Sequence, residues 1–291
     1  DEFDLMIKLS IPVKITNSLR INLQTELGDS VWISKLLREV GLERDFPELK
    51  PIEDPAYISL ALPGREETGF EIIFRSNPFA ESALDSSEPG LSTPGTSKVV
   101  HSIAALVQEP IVEGSRSKLC EFVRAFGLRE SLPLEEASRR WFDAYWKCAV
   151  EAPLRIYDRH GIALEAHQQN SLLEFDEHHL PRVCYYRDIQ GLALTERFRE
   201  ALIRRVPELE AQTKVFEADD IVRNGLGYYL VFNQLYSVIN RFALDALLDE
   251  GTLLGVVCRK LLALRADVGQ LGVEFIVALL EKQAVPCKAN L

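Results

Sequence analysis

The sequence predicts an α+β protein in which antiparallel strands come first and helices follow. Apolar and polar residues alternate over residues 5–15, which is the period of a strand with one buried face. Two further strand-like runs, at 57–62 and 70–74, flank a glycine-containing turn. Further along, apolar residues recur at helical spacing. The order favours a strand-rich part at 1–130 and a mostly helical part with a small sheet at 131–291.

In the first part, residues 5–15 are expected to form one half-buried strand, with Pro12 marking a bulge or a sheet edge. A helix is predicted over 31–40 because its apolar residues share one face: Ile33, Leu36, Leu37 and Val40. The runs at 57–62 and 70–74 are predicted to pair as a hairpin, and the second delivers Arg75 at its end.

The middle of the chain carries the boundary between the two parts. Residues 77–97 are rich in Ser, Pro and Gly and are predicted to form a surface loop. Residues 99–107 are apolar and fit either a strand or a helix. A domain boundary is expected between residues 114 and 133, on composition alone.

The second part is predicted to be helical with one clear strand. A helix should start at Pro133, a favoured first-turn residue, and continue through Cys148. Another should end at Gly161, a natural C-cap. The remaining expected elements are a strand at 183–187, a long helix at 220–248 broken near Gly225 to Gly227, and helices at 252–264 and 273–282.

Composition excludes several classes of protein. The chain has 291 residues, 47% of them hydrophobic, and a formal net charge of -11. That charge argues against a nucleic-acid surface, and no apolar run is long enough to span a bilayer. The five cysteines are scattered without a CxxC pair, as expected for reduced, mostly buried thiols of a cytoplasmic protein rather than for disulfides or a zinc site.

The run at 160–170 is unusually polar for its apolar surroundings. It reads His160-Gly-Ile-Ala-Leu-Glu-Ala-His167-Gln-Gln-Asn170. Such a cluster costs folding energy unless its polar groups are hydrogen-bonded or used. His167 is a candidate donor to a phosphate oxygen, and Asp188, at the end of a strand, is a candidate Mg²⁺ ligand. The alternative for His167 is a core histidine with an amide partner.

Other charged residues leave similar alternatives open. Arg20 and Arg75 each follow a strand, where an arginine can bind a phosphate or carboxylate with two hydrogen bonds or simply lie at the surface. Glu165 fits either a general base or a structural carboxylate. The pair His178-His179 is expected in a solvated loop. Without GxGxxG, Walker A, HExxH or GxSxG patterns, the residues alone indicate an anion-binding and metal-binding α+β protein.

The same residues carry a family resemblance. The run at 160–170, followed by Arg187-Asp-Ile-Gln-Gly191, resembles the core signature of the aerobactin synthetase family, the siderophore synthetases that work without a nonribosomal peptide synthetase. Lys14-Ile-Thr-Asn-Ser-Leu-Arg20 and Phe74-Arg-Ser-Asn-Pro78 resemble two arginine-bearing segments of that family. The closing Lys288-Ala-Asn-Leu291 resembles its C-terminal lysine segment. The matches run in the family's order over nearly the whole chain.

The resemblance implies a fold and an activity. Residues 1–130 would be a fingers-like part, incomplete at its N-terminus, and 131–291 a palm-like domain. Such enzymes use Mg²⁺ and ATP to adenylate a carboxylate of citrate or a citrate derivative. An amine, hydroxylamine or alcohol then attacks, giving an amide or ester, AMP and pyrophosphate. Homodimers are common in the family, whose members act without nucleic acid or membrane.

By position, the resemblance also implies roles for individual residues. The nucleotide would be bound by Thr16, Asn17, Arg20, Arg75, His167, Gln169 and Asp188. Of these, His167, Gln169 and Arg75 would act in catalysis. Glu165 and Lys288 would contact substrate, and Asp188 with Asn170 would hold Mg²⁺. Asn17, Ile21 and Gln168 depart from the family's usual Ser, Thr and Gly.

Two further expectations complete the prediction. The chain opens at Asp1 and has Met6 as its only methionine, so it is expected to be a piece of a longer polypeptide or a processed product. Alone, it is expected to bind ATP weakly and turn over little. The alternative functions are a non-catalytic ferric-siderophore-binding or iron-uptake protein and a kinase-like phosphotransferase with Asp188 as metal ligand. The lack of a phosphate-binding glycine loop weighs against the kinase.

Overall fold

The computed structural model describes residues 5–15, 18–19, 21–60, 62–64, 68–80, 99–112, 114–211 and 214–281. Seven of the twelve described strands and four of the eleven described α-helices lie before residue 130, and the α+β prediction is confirmed. The strands are β1 (Leu5–Leu9), β2 (Lys14–Ile15), β3 (Ser18–Leu19), β4 (Leu49–Pro51), β5 (Ala56–Ile58), β6 (Ile72–Ser76), β7 (Val99–Ser102), β8 (Ile162–Ala163), β9 (Ser171–Phe175), β10 (Pro181–Tyr186), β11 (Ala193–Thr195) and β12 (Phe216–Glu217).

The helices of the described residues cluster after residue 117. They are α1 (Gln24–Glu39), α2 (Leu42–Asp45), α3 (Ile103–Val107), α4 (Lys118–Arg129), α5 (Leu134–Trp146), α6 (Ala152–His160), α7 (Arg199–Arg205), α8 (Asp219–Leu226), α9 (Tyr236–Leu244), α10 (Glu250–Leu264) and α11 (Gln270–Glu281). Among the described helices, none is both long and apolar enough to cross a bilayer.

Three strands of the first part form an antiparallel sheet in the order β1-β6-β5, which we call the N-terminal sheet. Ile7 pairs with Phe74 and Leu9 with Ile72, so these apolar side chains share one face. That face is open to solvent, with Ile7 60% exposed.

The prediction for residues 5–15 is wrong in two respects. The strand ends at Leu9, and its apolar alternation points outward rather than into a core. The inner face instead carries Met6 and Lys8, which pair with Arg75 and Ile73. The hairpin prediction is confirmed as an antiparallel β5–β6 pair, but β6 extends to Ser76, so Arg75 lies inside the strand.

A second sheet joins the two parts of the chain. Its order is β4-β10-β9-β7, with β4 parallel to β10 and the other pairs antiparallel. Residues 99–107, for which strand and helix were both open, form β7 and then α3. The loop predicted at 77–97 lies mostly outside the described residues. Strands β4 and β7 precede residue 130 and their partners follow it, so this one sheet contains strands from both predicted domains. The division into two domains stays a prediction.

The helical predictions are largely confirmed, except that two segments predicted as α-helix are π-helical. Helix α1 begins earlier than residue 31, and its predicted apolar face is fully buried. Helix α5 starts after Pro133 and continues as a π-helical turn, Lys147–Glu151. The break expected near Gly225 to Gly227 is another π-helical segment, Gly227–Leu235, between α8 and α9. The backbone stays helical across these glycines, so they mark a change of hydrogen-bonding pattern rather than the end of a helix.

The turn between β9 and β10 corrects one local prediction. The indole N–H of Trp141 donates to the carbonyl oxygen of His179 (3.1 Å), and the ring of His179 stacks on Phe122 with centroids 4.9 Å apart. His179 is therefore packed against aromatic residues and not simply solvated. His178 lies beside the carboxylate of Glu130, with 40% of its side chain exposed.

The described cysteines are free thiols. Cys120, Cys148 and Cys184 are buried and Cys258 is exposed. Burial raises the pKa of Cys184 to about 12, so this thiol stays protonated and unreactive at neutral pH. Cys287 lies outside the described residues.

Candidate functional site

A short loop between β8 and β9 carries the polar cluster of the sequence. Helix α6 ends at His160, and Gly161 follows in the left-handed conformation (φ 65°), as its C-cap role requires. Strand β8 then pairs with β11. Ile162 of this strand and the following Leu164 and Ala166 are buried in the apolar core and anchor the loop to it. These apolar contacts hold the intervening polar side chains in place.

The polar residues of the loop are ordered by a compact turn rather than by a helix. The N–H of His167 donates to the carbonyl of Glu165 (2.8 Å), and the N–H of Asn170 donates to the carbonyl of His167 (2.9 Å). The N–H of Gln169 approaches Nδ1 of His167 at 3.3 Å. Asn170 is buried, and its side-chain Nδ2 lies 3.4 Å from the carbonyl oxygen of Glu165. His167 and Gln169 are therefore held side by side on this turn.

The end of β10 lies beside this turn. The N–H of Arg187 donates to the carbonyl oxygen of Asn170 (3.0 Å). The next residue, Asp188, has a left-handed backbone (φ 60°), which is uncommon for a residue with a side chain. This conformation leads directly into a 3₁₀ turn, Ile189–Gly191. Gly191 packs so closely on the turn that a Cβ there would lie 2.1 Å from Oε2 of Glu165.

Two cations of the N-terminal sheet converge on Asp188. Nζ of Lys8 lies 3.0 Å from its Oδ1, and Nη2 of Arg75 lies 2.9 Å from the same atom. Arg75 also makes two hydrogen bonds to Asp54, at 2.7 and 3.1 Å. Asp54 is fully buried and Arg75 nearly so. The network fixes the Arg75 guanidinium with one edge on Asp54 and Nη2 beside Asp188.

The protonation states follow from this geometry. Burial alone would raise the pKa of Asp188, but Arg75 and Lys8 together hold it below its usual value. Burial opposes the charge on Arg75, yet Asp54 and Asp188 raise its pKa further. Burial also lowers the pKa of His167, against a smaller opposing effect of Asp188. At neutral pH the site therefore contains an ionised carboxylate, a charged guanidinium and a neutral imidazole.

The predicted site residues divide into three groups. The structure brings Arg75 and Asp188 into direct contact and places His167, Gln169, Asn170 and Glu165 on one turn. Thr16, Asn17, Arg20 and Lys288 lie outside the described residues. Within the described ranges, no group of three or more His, Cys, Asp or Glu side chains is arranged to hold a metal ion.

Sequence reasoning missed three residues of the site. Lys8 is one of the polar positions of the alternating strand, but the sequence does not show that this face of the strand points toward Asp188. Tyr229, whose ring centroid is 6.0 Å from that of His167, lies in the π-helical segment. Asp54 had no signal, since an isolated aspartate after Ile52-Glu53 has no distinguishing spacing.

Comparison with family models then assigns the chain. Residues 1–108 match the model described as the IucA / IucC family. The chain belongs to this IucA/IucC family. Residues 139–291 match the model described as the ferric iron reductase FhuF-like transporter, so the helical part of this family member also resembles that group. The resemblance to aerobactin synthetases is thereby confirmed.

Individual relatives agree with the assignment. The chain is 34% identical to the spermidine-citrate ligase of Bacillus anthracis, over 98% of this chain and 45% of the relative. It is 32% identical to the rhizobactin siderophore biosynthesis protein RhbC of Rhizobium meliloti (strain 1021), over 98% of this chain and 46% of that protein. The chain thus spans about half the length of these relatives.

A solved structure shares the fold. The ATP-bound aerobactin synthetase IucA from a hypervirulent pathotype of Klebsiella pneumoniae superposes with a TM-score of 0.86 at 23% identity. The superposition covers 99% of this chain and 49% of that protein. The IucA/IucC member described here therefore has the fold of one half of that synthetase.

Proposed function

We propose that the protein is an ATP-dependent ligase of siderophore biosynthesis. A carboxylate of citrate or a citrate derivative attacks the α-phosphorus of ATP and displaces pyrophosphate. An amine, hydroxylamine or alcohol then attacks the acyl carbon and displaces AMP. The observation that carries the proposal is the convergence of Lys8 and Arg75 on Asp188, beside the turn that bears His167 and Gln169. Named relatives that ligate citrate support the same chemistry.

The cations are the groups that adenylation needs most. Attack at the α-phosphorus builds negative charge on its oxygens, and fixed cationic donors stabilise that charge without reorganising. Arg75 is held from behind by Asp54, so its guanidinium is already oriented. Lys8 and Arg75 meet at Asp188 Oδ1, where an incoming polyphosphate would compete with Asp188 for both cations.

His167 is suited to donate a hydrogen bond. Because its pKa is lowered by burial, the ring is neutral at pH 7. Its Nδ1 lies 3.3 Å from the N–H of Gln169 and accepts from it. A neutral ring that accepts at Nδ1 carries its proton at Nε2. We assign this N–H as a donor to an oxygen of the nucleotide or the adenylate, with Gln169 beside it and Glu165 near the substrate.

The site fits a magnesium ion that is bound mainly by substrate phosphates. Mg²⁺ typically takes one or two protein carboxylates, and phosphate and water supply the rest. Asp188 is ionised and would be that carboxylate, whereas Asn170 is a weaker candidate because its side chain is buried beside the Glu165 carbonyl. When bound, the ion would neutralise phosphate charge. Lys8, Arg75 and His167 do the remaining positioning.

The experiment that tests the proposal is carboxylate-dependent exchange of labelled pyrophosphate into ATP, with citrate first among a panel of acids. It should use the longest natural polypeptide that contains this sequence. We expect exchange in the wild type and a loss of about 100-fold or more in His167→Ala, as for removal of one transition-state donor. His178→Ala is the matched control because that ring lies on the β9–β10 turn.

Two outcomes would count against the proposal. No exchange with any acid would remove the ligase assignment, and unchanged exchange in His167→Ala would remove His167 from the mechanism. The 291-residue chain should be tested alongside, with weak ATP binding and little turnover expected. Steady adenylate formation by that chain would contradict this part of the proposal.

The second candidate function is a non-catalytic ferric-siderophore-binding protein. The match of residues 139–291 to the FhuF-like model favours it. The buried Arg75–Asp54 pair and the Asp188 cluster weigh against it, because a siderophore binder has no need of an oriented phosphate-binding guanidinium. A binder would take up ferric siderophore without any pyrophosphate exchange.

A further inference from the structure

A polar groove of about 600 Å³ lies beside Gln169, apart from the Lys8–Arg75–Asp188 cluster. One side is formed by Gln168, Gln169 and Arg187. The second side is the junction of β7 and α3, and the third is Ser237 and Asn240 of α9. Of these residues, only Gln169 has a role in the proposed adenylation, and its side chain also lines the groove. The groove is thus contiguous with the proposed nucleotide site.

The charge of the groove is opposite to that of the protein. Among the described residues that line it, none is acidic, and Arg187 is the charged one, although the whole chain carries a net charge of -11. The Arg187 side chain is 42% exposed, and its Nε lies 3.8 Å from Oδ2 of Asp188. The other polar lining groups are carboxamides and hydroxyls. A guanidinium surrounded by neutral donors matches a carboxylate and disfavours a cation.

The three sides of the groove are tied together at Gln168. Its N–H donates to Oδ1 of Asn233 (3.1 Å), and its carbonyl oxygen accepts from the N–H of Ala104 (2.9 Å). Ser237 donates in turn to the carbonyl oxygen of Asn233 (2.7 Å). The backbone of Arg187 is held by Asn170. These contacts preorganise the groove, which lowers the cost of ordering it around a ligand.

We propose that this groove binds a free carboxylate group of a substrate while the reacting group of that substrate sits at the nucleotide. The proposal rests on the ligase function proposed above. A carboxylate of this kind has two sources. It is either an unactivated carboxylate of a citrate-like acid or the carboxylate of an amino-acid-derived nucleophile. A polyamine, which carries only cationic groups, does not fit the groove.

The test introduces a negative charge opposite Arg187. In Asn240→Asp, like-charge repulsion should raise the KM of the carboxylate-bearing substrate about tenfold or more, the equivalent of at least about 1.4 kcal/mol. The Kd of ATP should stay within about twofold, since Asn240 is not among the proposed nucleotide contacts. Asn224→Asp, on α8 and outside the groove, is the matched control. Arg187→Lys keeps the charge but loses the planar fork, so it should have an intermediate effect.

Two arms separate the sources. A raised KM for the acid in pyrophosphate exchange, which needs no nucleophile, identifies the acid. Unchanged exchange with a raised KM for amino-acid nucleophiles, but not for a simple diamine, identifies the nucleophile. Equal behaviour of Asn240→Asp and Asn224→Asp in both arms overturns the proposal. Should the wild type show no exchange, the ligase function fails, and calorimetric titrations with citrate and with the amino-acid nucleophiles decide the groove. Tighter binding to wild type than to Asn240→Asp then supports it, and equal or no binding overturns it.

Discussion

The N-terminal sheet and the helical part place charge and apolar surface in opposite positions. In the N-terminal sheet, Lys8 and Arg75 face inward to Asp188 and Asp54, and Ile7, Leu9 and Ile58 face solvent. In the helical part the buried side chains are mainly apolar and belong to one cluster, which also includes α1 of the first part. Arg241 and Asp245 form a buried ion pair among them.

The difference teaches how each region is stabilised. A closed apolar core stabilises the folded state through the apolar area that it removes from water, about 25 cal/mol per Å². The loss of one contact therefore costs free energy in proportion to the area exposed. A buried ion network has no such reserve, because removing one partner leaves the other charged and desolvated. The site is built where the two regions meet. Its cations come from the N-terminal sheet, and its histidine turn comes from the frame of the helical part.

The largest expected effect comes from Arg75→Ala. The variant leaves Asp54 fully buried without its bidentate partner, so we expect a loss of about 3–5 kcal/mol in the free energy of unfolding. Urea denaturation measures the total, and hydrogen exchange of strands β5 and β6 localises it.

The matched control is Arg139→Ala, which removes an exposed i,i+4 pair with Glu135 (2.8 Å). That change should cost less than about 0.5 kcal/mol. Equal losses in the two variants would mean that the buried network contributes no more than a surface ion pair.

The next effect is in the helical part, at Gly161→Ala. The left-handed backbone there disfavours a side chain by about 1–2 kcal/mol, and the new Cβ would lie 2.3 Å from Oγ1 of Thr195. We expect a fall in the free energy of unfolding of about 2 kcal/mol or more, with the helical peptides exchanging faster. Gly225→Ala is the control. Its Cβ meets nothing within 4 Å, and α8 should gain up to about 1 kcal/mol in helix propensity.

The two regions should also lose stability in different pH ranges. Burial lowers the pKa of His101, His160, His167 and His179. As pH falls below about 6.5, the unfolded chain takes up protons that the folded chain refuses, so stability falls in that range. Asp188 has a lowered pKa, so its contribution persists above the usual carboxyl value of about 3.9 and is lost only as pH falls below it.

Hydrogen exchange at pH values of about 7.5, 5.5 and 3.5, which lie above, between and below the usual histidine and carboxyl pKa values, separates these two ranges. Peptides from α4, α6 and the β8–β9 loop should lose protection first, and those from β1 and β6 later. If β1 and β6 already lose protection between the first and second of these pH values, their stability cannot be assigned to Asp188 and its cations.

The sequence predicted the helices better than the N-terminal sheet for a physical reason. Helical periodicity in a buried region reports directly which face meets the core, as for Ile33, Leu36 and Leu37 of α1. Alternation in a strand reports only that the two faces differ. For β1 the apolar face points outward, and Lys8 on the other face pairs with the half-buried carboxylate of Asp188, 180 residues away.

The candidate site shows the same limit. The loop at 160–170 could be recognised because its residue types and order are local in sequence. The partnership of Arg75 with Asp54 and Asp188 could not, because it depends on the register of β1 and β6 and on the left-handed backbone at Asp188. Likewise, the groove beside Gln169 assembles residues from three distant segments, and no local spacing records it.

The smallest expected effect is at the open face of the N-terminal sheet. In Ile7→Thr, the side chain is 60% exposed and threonine keeps the β-branched shape that strands favour. We therefore expect the free energy of unfolding of the 291-residue chain to change by no more than about 0.5 kcal/mol, with less self-association in sedimentation.

Ile73→Ala is the matched control on the opposite face of the same sheet. Ile73 is 1% exposed, so its truncation should cost about 2–5 kcal/mol. A cost above about 1 kcal/mol for Ile7→Thr in the isolated chain would mean that another layer already covers this face, and the contrast between the two regions would then vanish.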